Sequence, residues 1–171
     1  MKRAAAATVA IVMFSLAGCG YHFIGQESGV LSGIRSIAVP YFVNKSFEPG
    51  LERYVTEALV DEFVKSKFVK VVDESAADAV LRGRIDEFSE SVISYDRDDR
   101  ALEYRTRVLL DITLERKDTA EVLWRNKGLY HFEEYSVSSD VATTEANKKI
   151  ALQMTAAELA ERIHDSIIEG F

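Results

Sequence analysis

From residue 103 to residue 115 the chain alternates apolar and polar side chains. Tyr104, Thr106, Val108, Leu110, Ile112 and Leu114 fall in one phase, and Glu103, Arg105, Arg107, Asp111, Thr113 and Glu115 in the other. A repeat of two residues belongs to a β-strand that buries one face and wets the other; a helix would repeat its apolar positions every three or four residues. Such a strand needs partner strands and an apolar layer laid on its buried face.

The neighbouring sequence supplies both. Residues 80–95 begin a second long strand with Leu81, Gly83 and Ile85 on one face, and the parity slips before Phe88, which predicts a β-bulge. Residues 96–100 and 117–120 are polar turns, and residues 122–135 form a third long strand. Its simple alternation puts Trp124, Tyr130 and Phe132 on one side and Arg125, Lys127 and His131 on the other. Shorter strands are predicted at 34–39, stopped by Pro40, and at 68–72, with a loop at 41–50.

Leu51, Tyr54, Val55, Ala58, Leu59 and Phe63 then follow the helical repeat, with Pro49 at the start. A long helix over 143–169 carries the stripe Ile150, Met154, Ala157, Ala160, Ile163 and Ile167. The order β-α-β-β-β-β-α predicts an α+β two-layer sandwich. One mainly antiparallel sheet of four or five strands carries two helices on one face, as a single domain over 34–171. The aromatic set Tyr41, Phe42, Tyr95, Tyr130 and Tyr135 is read as core rather than partner-facing.

Charge and motif spacing narrow the function. The formal net charge of −7 argues against a nucleic-acid binder, which needs a basic footprint. His22, His131 and His164 are scattered and Cys19 is the lone cysteine, so no metal set converges. Asp96 and Asp98 suggest a calcium loop, but Ala101 stands where the glycine belongs and Arg107 where the closing glutamate belongs. No nucleophile elbow and no phosphate-cradling glycine loop occurs, and the neighbours Asp86-Glu87 and Glu133-Glu134 read as solvated charges. The expectation is a protein with no catalytic residues, metal or dissociable cofactor.

The cations are more informative. Arg82/Arg84 and Arg125/Lys127 should lie across from Asp111 and Glu115, as a ladder of cross-strand pairs. Arg105 and Arg107 point instead toward the hairpin end that carries Arg97 and Arg100. These four arginines are the candidate site for an anionic, phosphate-bearing ligand, with Asp96, Asp98, Asp99 and Glu103 as competing partners.

The N-terminus supplies an address. Met1-Lys2-Arg3 is basic, residues 4–17 are an apolar small-residue run, and Leu16-Ala17-Gly18-Cys19 follows. The run is too short to span a bilayer and has the layout of a secretory signal. The tetrapeptide resembles the lipobox of bacterial lipoproteins. That resemblance implies cleavage after residue 18, a diacylglycerol on the Cys19 thiol and an acyl chain on its new amine, which together hold the protein on a membrane. Residues 1–18 are then the signal peptide and 19–33 a Gly/Ser-rich lipidated tether. By analogy with the enterobacterial sorting scheme, Gly20 in place of Asp favours the outer membrane of a Gram-negative cell, facing the periplasm.

Gly18-Cys-Gly-Tyr-His-Phe23, the Leu51–Phe63 helix, Leu102-Glu-Tyr-Arg105 opening the middle strand and the C-terminal helix together resemble the LPS-assembly lipoproteins of the LptE family. The resemblance implies a plug inside the LptD outer-membrane β-barrel that supports barrel folding and delivery of lipopolysaccharide to the cell surface. It also implies a lipopolysaccharide-contacting basic residue near the hairpin tip, where Arg97 is the match. A second basic position before the last helix has no counterpart between Ser136 and Glu145. The alternative is another envelope-assembly lipoprotein, such as a secretin pilot or a transporter accessory subunit.

Overall fold

The computed structural model describes residues 29–170. The expected signal segment, the lipidation site Cys19 and the tether up to residue 28 lie outside the described residues. In chain order the elements are β1 (Ser36–Ala38), β2 (Val43–Asn44), α1 (Leu51–Ser66), β3 (Lys70–Val71), a 3₁₀ turn (Glu74–Ala76), β4 (Ala79–Tyr95), β5 (Ala101–Arg116), β6 (Val122–Ser136) and α2 (Val141–Glu169).

The alternating segment is β5, the middle of three long antiparallel strands. The six-stranded sheet runs β3-β1-β4-β5-β6, and β2 is added on β4. The three short strands are parallel: β1 lies beside the start of β4 (Ile37↔Ala79) and β2 beside its middle (Val43↔Arg84). β2 is the strand missing from the sequence expectation, which read residues 41–50 as loop. A two-residue strand is too short to show any periodicity.

Asp78 fastens β1 to the head of β4. Its carboxylate accepts the backbone N–H groups of Arg35 and Ser36 and the Ser36 hydroxyl, each at 2.9 Å. The Arg35 amide first, and then the Ser36 hydroxyl, hold the Asp78 carboxyl below its ordinary value.

One core lies between the sheet and both helices. Ile37, Leu81, Ile85, Val108, Leu110, Ile112 and Leu114 face Leu51, Val55, Leu59 and Phe63 of α1 and Leu159, Ile163 and Ile167 of α2. Each such side chain contributes roughly 1.5–3 kcal/mol when fully buried. Val30 and Leu31, in the segment read as tether, pack against this core.

The expected bulge in β4 is present as a register shift between Ile85 and Glu87. A second bulge in β6 overturns the simple alternation there. The register slips where Leu110↔Leu129 gives way to Asp111↔Lys127, with Gly128 left over in the left-handed region at φ 74°. The Asp111 carboxylate accepts the Gly128 N–H at 2.9 Å. Parity therefore reverses: Trp124 is buried, but Tyr130 and Phe132 join Arg125 and Lys127 on the wet face, and His131 falls on the other side.

The stripe of α2 is also corrected. Ile150 and Met154 are about half exposed and Ala157 is exposed; the buried stripe is Ala151, Leu152, Thr155, Ala156, Leu159, Ala160, Ile163 and Ile167. Large side chains suggested one face, while small alanines on the next face let the helix lie close to the sheet. Asp140 caps this helix by accepting the Thr143 N–H at 2.9 Å, which starts it ahead of residue 143. Of the aromatic set read as core, Phe42 and Tyr135 are buried, whereas Tyr41, Tyr95 and Tyr130 are exposed.

Candidate functional site

The sheet face away from the helices is a field of paired ions. Arg84 bonds Asp86 on its own strand and Asp111 across the sheet, the latter at 3.1 Å. Arg107 reaches Glu87 at 3.6 Å, and Arg105 reaches Glu134 at 2.6 Å. The same two arginines lie over aromatic rings that the β6 bulge delivers to this face. Arg105 is 5.0 Å from the Phe132 centroid and Arg107 4.8 Å from that of Tyr130. Each stacked cation is worth about 0.5–1 kcal/mol at an exposed position, and each exposed ion pair no more.

The cross-strand ladder is therefore only partly as expected. Arg84 takes Asp111, but Arg82 takes Glu74 of the 3₁₀ turn instead of Glu115. Arg125 lies opposite Thr113 and bonds its hydroxyl at 3.3 Å. Asp111 is already occupied by Arg84 and by the Gly128 amide, so Lys127 has no ion pair with it although the two are in register.

The four candidate arginines are not gathered at one point. Arg97 and Arg100 sit in the β4–β5 turn, which Asp96 ties together by accepting the N–H groups of Asp98 and Arg100 at 2.8 and 2.9 Å. Arg100 is neutralised by Asp98 and by Asp96, the latter at 3.3 Å. Arg105 is five residues further on, about 17 Å at the rise of an extended strand, and Arg107 lies beyond it. Arg97 is exposed, and among the described residues no carboxylate is ion-paired with it. The tip thus offers one free guanidinium, with three further arginines already held by carboxylates.

Sequence reasoning missed a mostly buried cluster at the helix-covered edge. Lys148 of α2 contacts Glu48 at 2.9 Å and Glu90 at 3.3 Å, and its ammonium lies 5.2 Å from the Phe88 centroid. The Tyr135 hydroxyl donates to the same Glu90. Burial opposes the charge on Lys148, but the bond to Glu48 and the charges of Glu90 and Glu48 outweigh it and raise its pKa. The five residues belong to the loop before α1, to β4, to β6 and to α2, and no spacing in the sequence joins them. The cluster ties these elements together.

His131 lies 3.3 Å from Glu133, and the buried His164 packs edge-on to Phe63 at 5.2 Å. Among the described residues no three His, Cys, Asp or Glu side chains converge to hold a metal ion, and no helix is long and apolar enough to cross a membrane.

The fold and this face define a class, a small α+β sandwich with a wet, ion-paired sheet surface and charged turns. Residues 34–167 match the lipopolysaccharide-assembly family LptE, and the chain belongs to that family. The fold recurs in the rare lipoprotein B of Shewanella oneidensis, with a TM-score of 0.53 and 17% identity over 79% of this chain and 95% of that one. It recurs also in lipoprotein B of Nitrosomonas europaea, with a TM-score of 0.53 and 11% identity over 76% and 79% of the two chains. No curated protein matches the chain by sequence.

Proposed function

We propose that the protein is held by lipid on Cys19 at the periplasmic side of the outer membrane. There it seats as a plug in an LptD-type β-barrel, supporting the folding of that barrel and the delivery of lipopolysaccharide to the cell surface. The observation that carries this reading, within an LptE family chain, is the long sheet face on which Arg84, Arg105 and Arg107 are already paired with carboxylates. Such a face is polar, and the arginines of its two central strands are already compensated, so that part of it can enter the polar lumen of a barrel without burying an uncompensated charge. A stable complex should bury at least ~1,000 Å². The function proposed is one of fitting and supporting, with no chemical step.

The turn would meet lipopolysaccharide. Arg97 offers an unpaired guanidinium for a phosphate, and Arg100, Arg105 and Arg107 can join only by leaving their carboxylates. Depletion of the protein tests the main reading, with surface lipopolysaccharide and correctly folded barrel both expected to fall. Unchanged levels of both would refute it. For the ligand, Arg97→Ala alone should account for most of the binding lost when all four arginines are replaced. Equal affinity in the four-alanine variant would show that the turn is only surface charge.

A further inference from the structure

β6 (15 residues) ends the sheet; no other strand pairs with its outer edge, although α2 side chains reach two of its carbonyls. In an antiparallel ladder, every second residue turns both backbone groups to its partner strand and the next turns both away. Arg162 Nη1 donates to the Tyr130 carbonyl at 3.3 Å and Asn147 Nδ2 to the Ser136 carbonyl at 2.9 Å, both from outside the sheet. The Glu133 carbonyl instead accepts the Thr106 hydroxyl of β5. Tyr130, Phe132, Glu134 and Ser136 therefore point their N–H and C=O groups outward. Below the Gly128 bulge the same parity on β5 turns Arg125 and Lys127 outward.

A groove of about 360 Å³ follows this edge, lined by Asn126, Gly128, Tyr130, His131, Phe132 and Arg162. Arg125, Lys127 and Arg162 are exposed, and none forms an ion pair with a described carboxylate, whereas the wet-face arginines of β4 and β5 all do. An acidic protein thus carries unneutralised cations on both flanks of a strand edge whose outward N–H groups pair with no other strand. Backbone donors and acceptors in register recognise an extended peptide, and the cations select its side chains.

We propose that the outer edge of β6 accepts an extended acidic peptide as an added strand. Carboxylates at alternate positions meet Arg125 and Lys127 on the wet face, while Arg162 keeps its bond to the Tyr130 carbonyl on the opposite side. The inference does not rest on the barrel reading, since it uses only the edge and its charges.

The probe is a ten-residue peptide alternating glutamate with valine, added to the full mature protein in detergent. The outward amides of Lys127, Tyr130 and Phe132 should exchange their hydrogens about tenfold more slowly, while those of Leu129 and His131, already facing β5, stay unchanged. Joint replacement Arg125→Glu and Lys127→Glu should weaken binding at least about tenfold and favour the corresponding lysine–valine peptide. Phe132→Pro removes an outward donor without touching a bond to β5 and should abolish protection, with a melting curve to verify the fold. Absence of protection at saturating peptide would overturn the proposal, and would mark Arg125 and Lys127 as charges that merely guard the edge. Equal binding of a peptide with prolines at its donor positions would overturn it too, by reducing the contact to charge attraction.

Discussion

Gly83 provides the sharpest test of the packing. It lies in β4 opposite Ile112, and the ring of Phe42 lies directly on it. A Cβ placed there would sit 1.9, 2.2 and 2.3 Å from three ring carbons of Phe42. Ordinary carbon contact needs about 3.5 Å, so the ring must move by roughly 1.5 Å. It has little room to do so, being 3% exposed within the core. Its backbone is held as well, because the Phe42 N–H donates to the Thr56 hydroxyl at 3.1 Å and β2 begins at the next residue.

Overpacking of this kind costs typically 1–3 kcal/mol, and a rigid ring in a fixed backbone places Gly83→Ala near ~3 kcal/mol. Urea denaturation of the unlipidated mature chain should show a midpoint lower by about 1.5 M, taking a slope of ~2 kcal/mol/M. Phe42→Ala should itself cost ~3–5 kcal/mol, but in that background Gly83→Ala should cost nearly nothing, giving a coupling of ~3 kcal/mol. Additive effects of the two substitutions, or a Gly83→Ala midpoint equal to wild type, would refute the contact.

Gly128 and Asp78 offer three further tests. Gly128→Ala meets no atom within 4 Å, so it should lose only the ~1–2 kcal/mol of left-handed strain by denaturation. Deleting Gly128 would return Tyr130 and Phe132 to the core side, and a chain with native near-ultraviolet dichroism after that deletion would contradict the bulge. The Asp78 carboxyl is held below its ordinary value, so its stabilisation is present above the unfolded value near ~3.9 and lost as pH falls through the lower folded value. Asp78→Asn should therefore melt below wild type at neutral pH, with the gap closing in acid. A gap that persists unchanged in strong acid would mean that the ionised carboxylate is not the stabilising form.

The sequence made the long periods readable and the short or broken ones unreadable. Alternation at Val108, Leu110 and Ile112 and the helical repeat from Leu51 to Phe63 each span enough residues for burial to impose a pattern. β2 has two residues and imposes none. In β6 a single glycine reversed the faces, because one extra residue flips every later side chain; the Gly128 between Lys127 and Leu129 was the available signal. In α2, Ile150 and Met154 outweighed alanines that are in fact buried, since size in sequence is a poor guide to which face packs closest. The arginines of the candidate site were identified as residues, but their partners depend on register and on which carboxylate lies within reach. That is how Arg105 came to hold Glu134 and Asp111 was withheld from Lys127.

Affinity purification of the tagged mature protein from detergent-solubilised outer membranes tests the central claim most directly. The expected result is recovery of the chain, acylated at Cys19, in equimolar complex with an LptD-type barrel that resists salt, since the β4 and β5 arginines of the sheet face it would present are paired within the chain. Recovery of an unacylated chain, or of an acylated one with no barrel beside it, would contradict the account.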